Sequence, residues 1–302
     1  MDVTKNETGT WFTSSKIGGV TMKLCFNEAT TLENSTLAKD LELCEQFGYD
    51  YIEIRSMDKL KEYLETYTLD DLKHFFETHH IKPYAFNAIV FFNNRSEKEY
   101  AEILAEYKEL LEVGSQLGVK KIVVVPLVTE QKITKSQIEK SAVKVLKEFS
   151  DLANPFGIEI ALEFVGHPQC TINTFEHAYD IVKKVDRDNV GLVFDCFHFY
   201  AMNSSIEALK QAECGKISIV HIDDAEDFPV GFLTDEDRLW PGEGAIPLNQ
   251  YLTILRDKGY DGVISVELFR PEYYQMSAEE VIQKAKQTAL DIISAVYQEV
   301  AN

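Results

Sequence analysis

The chain has 302 residues, 45% of them hydrophobic, and its 50 Asp and Glu against 30 Lys and Arg leave a formal net charge of −20. Such a charge repels a polyphosphate backbone, whose binding needs Lys and Arg to neutralise phosphates, so nucleic acid is excluded as a partner. No run approaches the ~20 apolar residues of a membrane span, and five cysteines without a CxxC pair argue against a disulfide framework or a thiolate zinc site and for reduced thiols in a cytoplasmic protein.

Residues 1–21 are polar and glycine-containing, with Trp11 and Phe12 as their aromatics. They lack the basic and apolar regions of a secretory signal and read as a disordered N-terminal extension. A single catalytic domain is expected over 22–302. From Lys23 onward, short apolar runs alternate with segments of helical spacing. LCFNEA is the first strand, and Leu37, Leu41, Cys44 and Phe47 mark a helix with Asn34 and Ser35 as N-cap candidates. YIEIRS follows as the second strand, then a broken helical region from Leu69 to His80. PYAFNAIV is the third strand, and a long helix through Ile103, Tyr107, Leu111 and Leu117 ends at Gly118.

KIVVVPLV is the fourth strand, before a helix over roughly Thr134 to Ala153. The fifth strand lies in IEIALEFVGHP, and Asn173 with Glu176 has capping-box spacing for the next helix. NVGLVFD is the sixth strand, a short helix spans Ile206 to Ala212, and KISIVHID is the seventh. A helix from Leu248 to Lys258 precedes the eighth strand, DGVISVELF, and Ser277 with Glu280 opens a terminal helix. Glycines at 48, 118, 157, 215 and 259 precede strands, as helix C-caps leading into parallel strands do. Eight strand–helix units in one direction predict a (β/α)8 TIM barrel. The long segment from Asp223 to Ile246, after the seventh strand, is expected to form a lid or substrate wall.

Four strands carry one polar ligand-type residue near their C-terminal ends: Glu163, Asp195, His221 and Glu267. An ionised carboxylate in a dry strand is costly unless it meets a cation. Each has a duller reading singly: Glu163 or Glu267 paired with an arginine such as Arg270, Asp195 capping a helix, His221 a satisfied buried histidine. All four at the mouth of one barrel predict a single divalent metal ion, with Mn, Zn, Co and Mg all compatible.

Two glutamates beside a metal suggest proton transfer in a sugar-like α-hydroxyketone, one removing the proton and the other returning it. His198 and Arg238 are candidate substrate contacts, and Glu53 and Asn87, at the ends of strands two and three, are further ones. His167 is either a neighbour of the metal ligands or a helix-start residue. His74, His79 and His80, at the end of a polar helix, are assigned no chemistry.

The stretches ALEFVGHPQCT, VFDCFHF, HIDDAEDFP with FLTDEDRLWPGEGA, and SVELFRPEYY, together with MKLCFNEAT from Met22, resemble the inosose isomerases (2-keto-myo-inositol isomerases) of bacterial inositol catabolism. These are xylose isomerase-like TIM barrels. The resemblance implies one divalent cation on Glu163, Asp195, His221 and Glu267. It also implies interconversion of 2-keto-myo-inositol (scyllo-inosose) with 1-keto-D-chiro-inositol through a metal-bound enediolate. From the related ketose 3-epimerases and hydroxypyruvate isomerases it implies Glu163 and Glu267 as the acid–base pair, with His198 and Arg238 on the substrate. Trp240, in the same motif as Arg238, joins the substrate-binding set. The partner implied is a small cyclic polyol ketone, and a homo-oligomer is left open. A ketose 3-epimerase or a hydroxypyruvate isomerase-like enzyme is the alternative. A non-catalytic sugar-binding barrel is disfavoured by the intact ligand set. An endonuclease IV-like phosphodiesterase needs extra histidines where this chain has Glu53, Arg55 and Asn87.

Overall fold

A computed structural model describes residues 3–5, 11–13, 22–56 and 58–298. Val3–Lys5 pairs antiparallel with Trp11–Thr13. The rest of the extension expected at 1–21 lies outside the described residues.

From Lys23, eight parallel strands close into one ring. They are β1 (Lys23–Asn27), β2 (Tyr51–Arg55), β3 (Lys82–Val90), β4 (Lys121–Val125), β5 (Glu159–Glu163), β6 (Val190–Asp195), β7 (Ile217–Ile222) and β8 (Val263–Val266). Each pairs with the next, and β8 pairs back onto β1 with Val266 opposite Phe26. The helices return the chain between strands: α1 (Leu37–Phe47), α2 (Lys59–Thr66), α3 (Leu69–Thr78), α4 (Glu97–Leu117), α5 (Lys135–Ala153), α6 (Phe175–Val185), α7 (Cys196–Ala201), α8 (Ile206–Gln211), α9 (Leu248–Asp257) and α10 (Ala278–Gln298). No helix among the described residues is long and apolar enough to cross a membrane.

The period-two alternation of a strand divides the apolar residues into two layers. On β5, Ile160 and Leu162 join the large strand–helix core, and Ala161 joins a smaller cluster inside the ring. On β6, Leu192 and Phe194 face the helices and Val193 faces in. Phe194 meets the Phe175 ring edge-on at 5.9 Å, a geometry worth about 0.5–1.5 kcal/mol beyond area burial. The inner cluster is built from Cys25, Ala85, Ala161, Val193, Ile219 and a few neighbours.

Helix ends depart from the sequence reading in three places. Thr36, not Asn34 or Ser35, caps α1 by accepting from the Lys39 N–H, while the Asn34 amide donates to the carbonyls of Tyr273 and Met276. Thr174 caps α6 by accepting from the His177 N–H, and Glu176 instead accepts from the Ser205 N–H. Gly215 lies in a 3-10 turn with no positive φ, whereas Gly48 closes α1 at φ 70° in the left-handed region that favours glycine. The Ser277–Glu280 box is present.

The segment after β7 folds onto the barrel end. Asp224–Ala225 pairs with Arg238–Leu239, and the Asp224 carboxylate accepts from the N–H groups of Ala225, Gly242 and Ile246. Gly244 packs so closely that a Cβ would lie 2.4 Å from the Ala225 carbonyl. Phe228, Val230 and Phe232 at the tip are exposed; the return strand carries Arg238 inward.

Candidate metal centre

The inner layer sets the position of every predicted ligand. Ala161, Val193 and Ile219 face the barrel interior, so the residues two further on, Glu163, Asp195 and His221, share that face at the C-terminal rim. On β8 the same step runs from Val263 to Ser265 to Glu267. Asp195 and His221 stand opposite each other in the β6–β7 register. The sequence therefore folds locally as ordinary alternating strand, with the apolar inner position exchanged for a ligand at its last turn inward.

All four ligand candidates are buried, and one ligand atom from each lies within 4.8 Å of all the others. His221 Nδ1 is 2.9 Å from Glu163 Oε1, 3.2 Å from Glu267 Oε2 and 3.5 Å from Asp195 Oδ2. Yet neither His221 Nδ1 nor Glu163 Oε1 makes a hydrogen bond. Atoms at bonding distance but off the bonding direction are what lone pairs aimed at a common third body produce. Three carboxylates and one imidazole are the donor set of a mixed O/N divalent site. The residues present therefore fit a divalent cation.

The electrostatics agree. Five buried carboxylates, Glu53, Glu163, Asp195, Asp223 and Glu267, share the barrel mouth with one buried guanidinium, Arg238. Burial and the charge of Glu267 push the Glu163 carboxyl up to about 8. Burial disfavours a charged His221, but Glu267, Glu53 and Glu163 outweigh it and hold the imidazole well above its ordinary value. For Asp195 burial is overcome by Arg238, so it stays well below the usual carboxylate range. Protons thus compensate part of the acid charge, and a divalent cation can take their place.

The two readings of Asp195 are both realised. Its Oδ1 caps α7 by accepting from the His198 N–H at 2.6 Å, and its Oδ2 faces Arg238 Nη1 at 2.9 Å and His221. The duller reading of the glutamates is realised in part: Arg270 pairs with Glu226 and Glu272 instead, but Glu267 Oε2 lies 3.4 Å from Arg238 Nη1. His221 is not a satisfied buried histidine, since its Nδ1 has no partner.

His198 sits on α7, a short helix unseen in the sequence. Its Nε2 is 3.2 Å from Arg238 Nη2; a guanidinium only donates, so Nε2 accepts and the proton is on Nδ1. Burial lowers its pKa and keeps it neutral, and Nδ1 has no hydrogen-bond partner. Arg238 is fully buried, bound to Asp195, to Asp223 through Nη1, and to Asp235 through Nε and Nη2 at 3.1 and 2.8 Å. Phe197 and Phe269 lie under its guanidinium carbon at 4.7 and 5.3 Å.

Trp240 departs most from its predicted place. It is buried in the strand–helix core, stacked on Tyr273 at 4.1 Å, with Lys284 over its ring. Glu53 and Asn87 do reach the centre, but their polar atoms meet its ligands: Glu53 Oε1 is 3.1 Å from His221 Nε2, and Asn87 Nδ2 is 3.2 Å from Glu267 Oε1. His167 is in a turn, accepting from the Gln169 N–H. Sequence reasoning missed Asn27, whose Nδ2 donates to Glu267 Oε1 at 2.8 Å, and the Arg238 partners Asp223 and Asp235. A polar residue closing the first apolar strand, and the second acid of HIDD, were the available signals.

Known proteins place this geometry. The family model described as "Xylose isomerase-like TIM barrel" matches residues 41–291. An inosose isomerase of Bacillus subtilis (strain 168) is 66% identical over 276 residues, covering 91% of this chain and 99% of that protein. One from Bacillus velezensis is 64% identical over 280 residues, covering 93% of this chain and all of that protein. A crystal structure of the IOLI protein with a bound zinc atom superposes with a TM-score of 0.91 at 66% identity, covering 91% of this chain and 99% of the other.

Proposed function

Because the chain belongs to the inosose isomerase family of xylose isomerase-like TIM barrels, we propose that it interconverts 2-keto-myo-inositol and 1-keto-D-chiro-inositol in inositol catabolism, using one divalent cation. Zinc is the first ion to test, since the IOLI protein holds it. The observation that carries the reading is the pair of buried, unpartnered atoms, Glu163 Oε1 and His221 Nδ1, converging with Asp195 and Glu267 at the mouth of the barrel. A cytoplasmic location is part of the proposal, in keeping with five free cysteines.

Glu163, Asp195, His221 and Glu267 would hold the cation, which when bound draws electron density from a ketone oxygen and acidifies the neighbouring C–H. The isomerisation moves two hydrogens and no heavy atom. One proton leaves the carbon beside the carbonyl, another arrives at the former carbonyl carbon, and the hydroxyl proton is redistributed between the two oxygens. Glu163 and Glu267 are the proton carriers. Glu163 has an oxygen that receives no hydrogen bond and so is unclamped, as a group that must both take and give a proton needs to be. His198, neutral with an unpartnered Nδ1–H, serves as a donor to a substrate oxygen. Arg238 holds His198 in that tautomer and braces Asp195.

The test is proton exchange. Metal-loaded protein is incubated with 2-keto-myo-inositol in D₂O and followed by NMR. Formation of the 1-keto isomer with solvent deuterium at the new C–H is expected. Product without exchange would replace the two-glutamate scheme by a shielded transfer. Neither product nor exchange would overturn the substrate assignment and move the assay to open-chain ketoses.

A further inference from the structure

The strands that supply no metal ligand are not idle at the rim. β1, β2 and β3 carry Asn27, Glu53 and Asn87 toward their C-terminal ends, all buried, and every one of them touches a ligand. Their contacts form a chain. Glu53 Oε1 faces His221 Nε2 at 3.1 Å, and Glu53 Oε2 faces Asn87 Nδ2 at 3.4 Å. The same Asn87 amide reaches Glu267 Oε1 at 3.2 Å, where Asn27 Nδ2 also donates at 2.8 Å.

The orientation of each link is settled by its neighbours. Asn27 Oδ1 accepts from the Ala29 N–H at 2.9 Å, so its NH₂ is the end presented to Glu267. A carboxylate only accepts, so Nε2 of His221 carries the proton toward Glu53 and the lone pair is left on Nδ1. Thr30 grips the backbone on both sides of Glu267, its hydroxyl donating to the Val266 carbonyl and accepting from the Leu268 N–H, both at 3.1 Å.

We propose that Glu53, Asn87 and Asn27 are positioning residues of the metal centre rather than substrate contacts: Glu53 makes Nδ1 the ligating nitrogen of His221, and the two amides occupy Glu267 Oε1 so that Glu267 ligates through Oε2 alone. This rests on the metal-centre reading above. Two amides on one oxygen leave Oε2 as the Glu267 oxygen turned to the centre, 3.2 Å from His221 Nδ1 and 3.4 Å from Arg238 Nη1. Glu163 Oε1 receives no such donor. The belt therefore differentiates two chemically identical side chains, one clamped and one free.

The test reads metal binding and needs no substrate. Parent, Glu53→Ala, Glu53→Gln and the double variant Asn27→Ala/Asn87→Ala are stripped of metal and titrated with Co²⁺ against a chromophoric chelator, and their d–d spectra recorded. Glu53→Ala is expected to weaken Co²⁺ binding about 10–100-fold, the usual cost of losing the partner of a ligating histidine. Glu53→Gln, which keeps an acceptor for Nε2–H, is expected to recover part of that loss. It also carries the test if the alanine variant does not fold. The double variant frees Glu267 Oε1, so its spectrum is expected to weaken toward that of a higher-coordinate ion. Parent affinity and spectrum in every folded variant, with only KM for the keto-inositol raised, would overturn the proposal and return these residues to the substrate. If the parent itself fails to bind Co²⁺, the metal-centre reading falls and takes the proposal with it.

Discussion

Asn27 and Glu28 are adjacent in sequence but belong to two different buried acidic groups. Glu28 lies with Asp40 beneath the first helix, and Asn27 reaches the cluster of Glu163, Asp195, His221 and Glu267. Both groups are dry, and both raise the pKa of a carboxyl: burial and Asp40 push Glu28 up, and burial pushes Asp40 to about 6. In the first group, however, the Arg55 N–H and the Thr31 hydroxyl each satisfy one oxygen. Glu28 Oε1 and Asp40 Oδ1 have no hydrogen-bond partner either, but the two carboxyls interact directly with each other, so one shared proton would join them. Lys59 supplies charge while its ammonium donates to the carbonyls of Thr31 and Ser35. In the second group the unpartnered atoms come from different strands and point at one place. Burial of acids is common to both, and convergence without a protein partner belongs to only one. That convergence is the mark of a ligand site.

Substitutions at the two groups should separate them, beginning with the largest effect. Glu267→Gln is expected to lower turnover of 2-keto-myo-inositol by at least about 10²–10⁴-fold. Its far-UV circular dichroism should stay that of the parent. A fully active variant, or one that unfolds, would place Glu267 with the structural acids. Arg238→Ala leaves Asp195 and Asp223 buried without their cation. It is expected to cost about 3–5 kcal/mol in urea unfolding, and a loss below about 1 kcal/mol, the surface-pair range, would mean the pair is not buried in solution.

Loading the stripped protein with zinc should release protons, because the His221 and Glu163 sites hold them in the metal-free form. Metal and protons compete, so apparent affinity should rise with pH through the region around 8 where Glu163 gives up its own. Titration calorimetry in buffers of different ionisation enthalpy measures the release, and a pH-independent affinity would contradict it. Glu28→Gln should be the mildest change. An amide can accept from the Arg55 N–H and donate to Asp40, so stability is expected to stay within about 1 kcal/mol of the parent. Metal affinity should be unchanged, and a drop in it would join the two groups into one system.

How much of this was readable beforehand follows from the range of the interactions. The four ligands were legible because a charged residue at the end of an apolar strand contradicts its local surroundings, and eight such strands imply a barrel whose rim collects them. The capping of α1 by Thr36 was misread because Asn34, Ser35 and Thr36 are all good caps and only the packing of Asn34 against Tyr273 and Met276 chooses among them. Helix α7 is six residues long and is capped by the last strand residue, too short for periodicity to reveal. Trp240 was placed at the substrate by its motif, whereas the stack on Tyr273 draws it into the core. The contact of Asn27 with Glu267 spans 240 positions, so the polar end of the first strand signals a site without naming its partner.

That span has a consequence for how the protein comes into being. The ring shuts where β8 meets β1, and the same seam brings Glu267 to Asn27. A chain emerging from the ribosome offers Glu163, Asp195 and His221 well before Glu267 exists, and until the last strand docks, three donors sit without the fourth or its amide clasp. The full affinity for metal therefore arrives with topological closure. Ion capture at full affinity thus waits for the docking of β8.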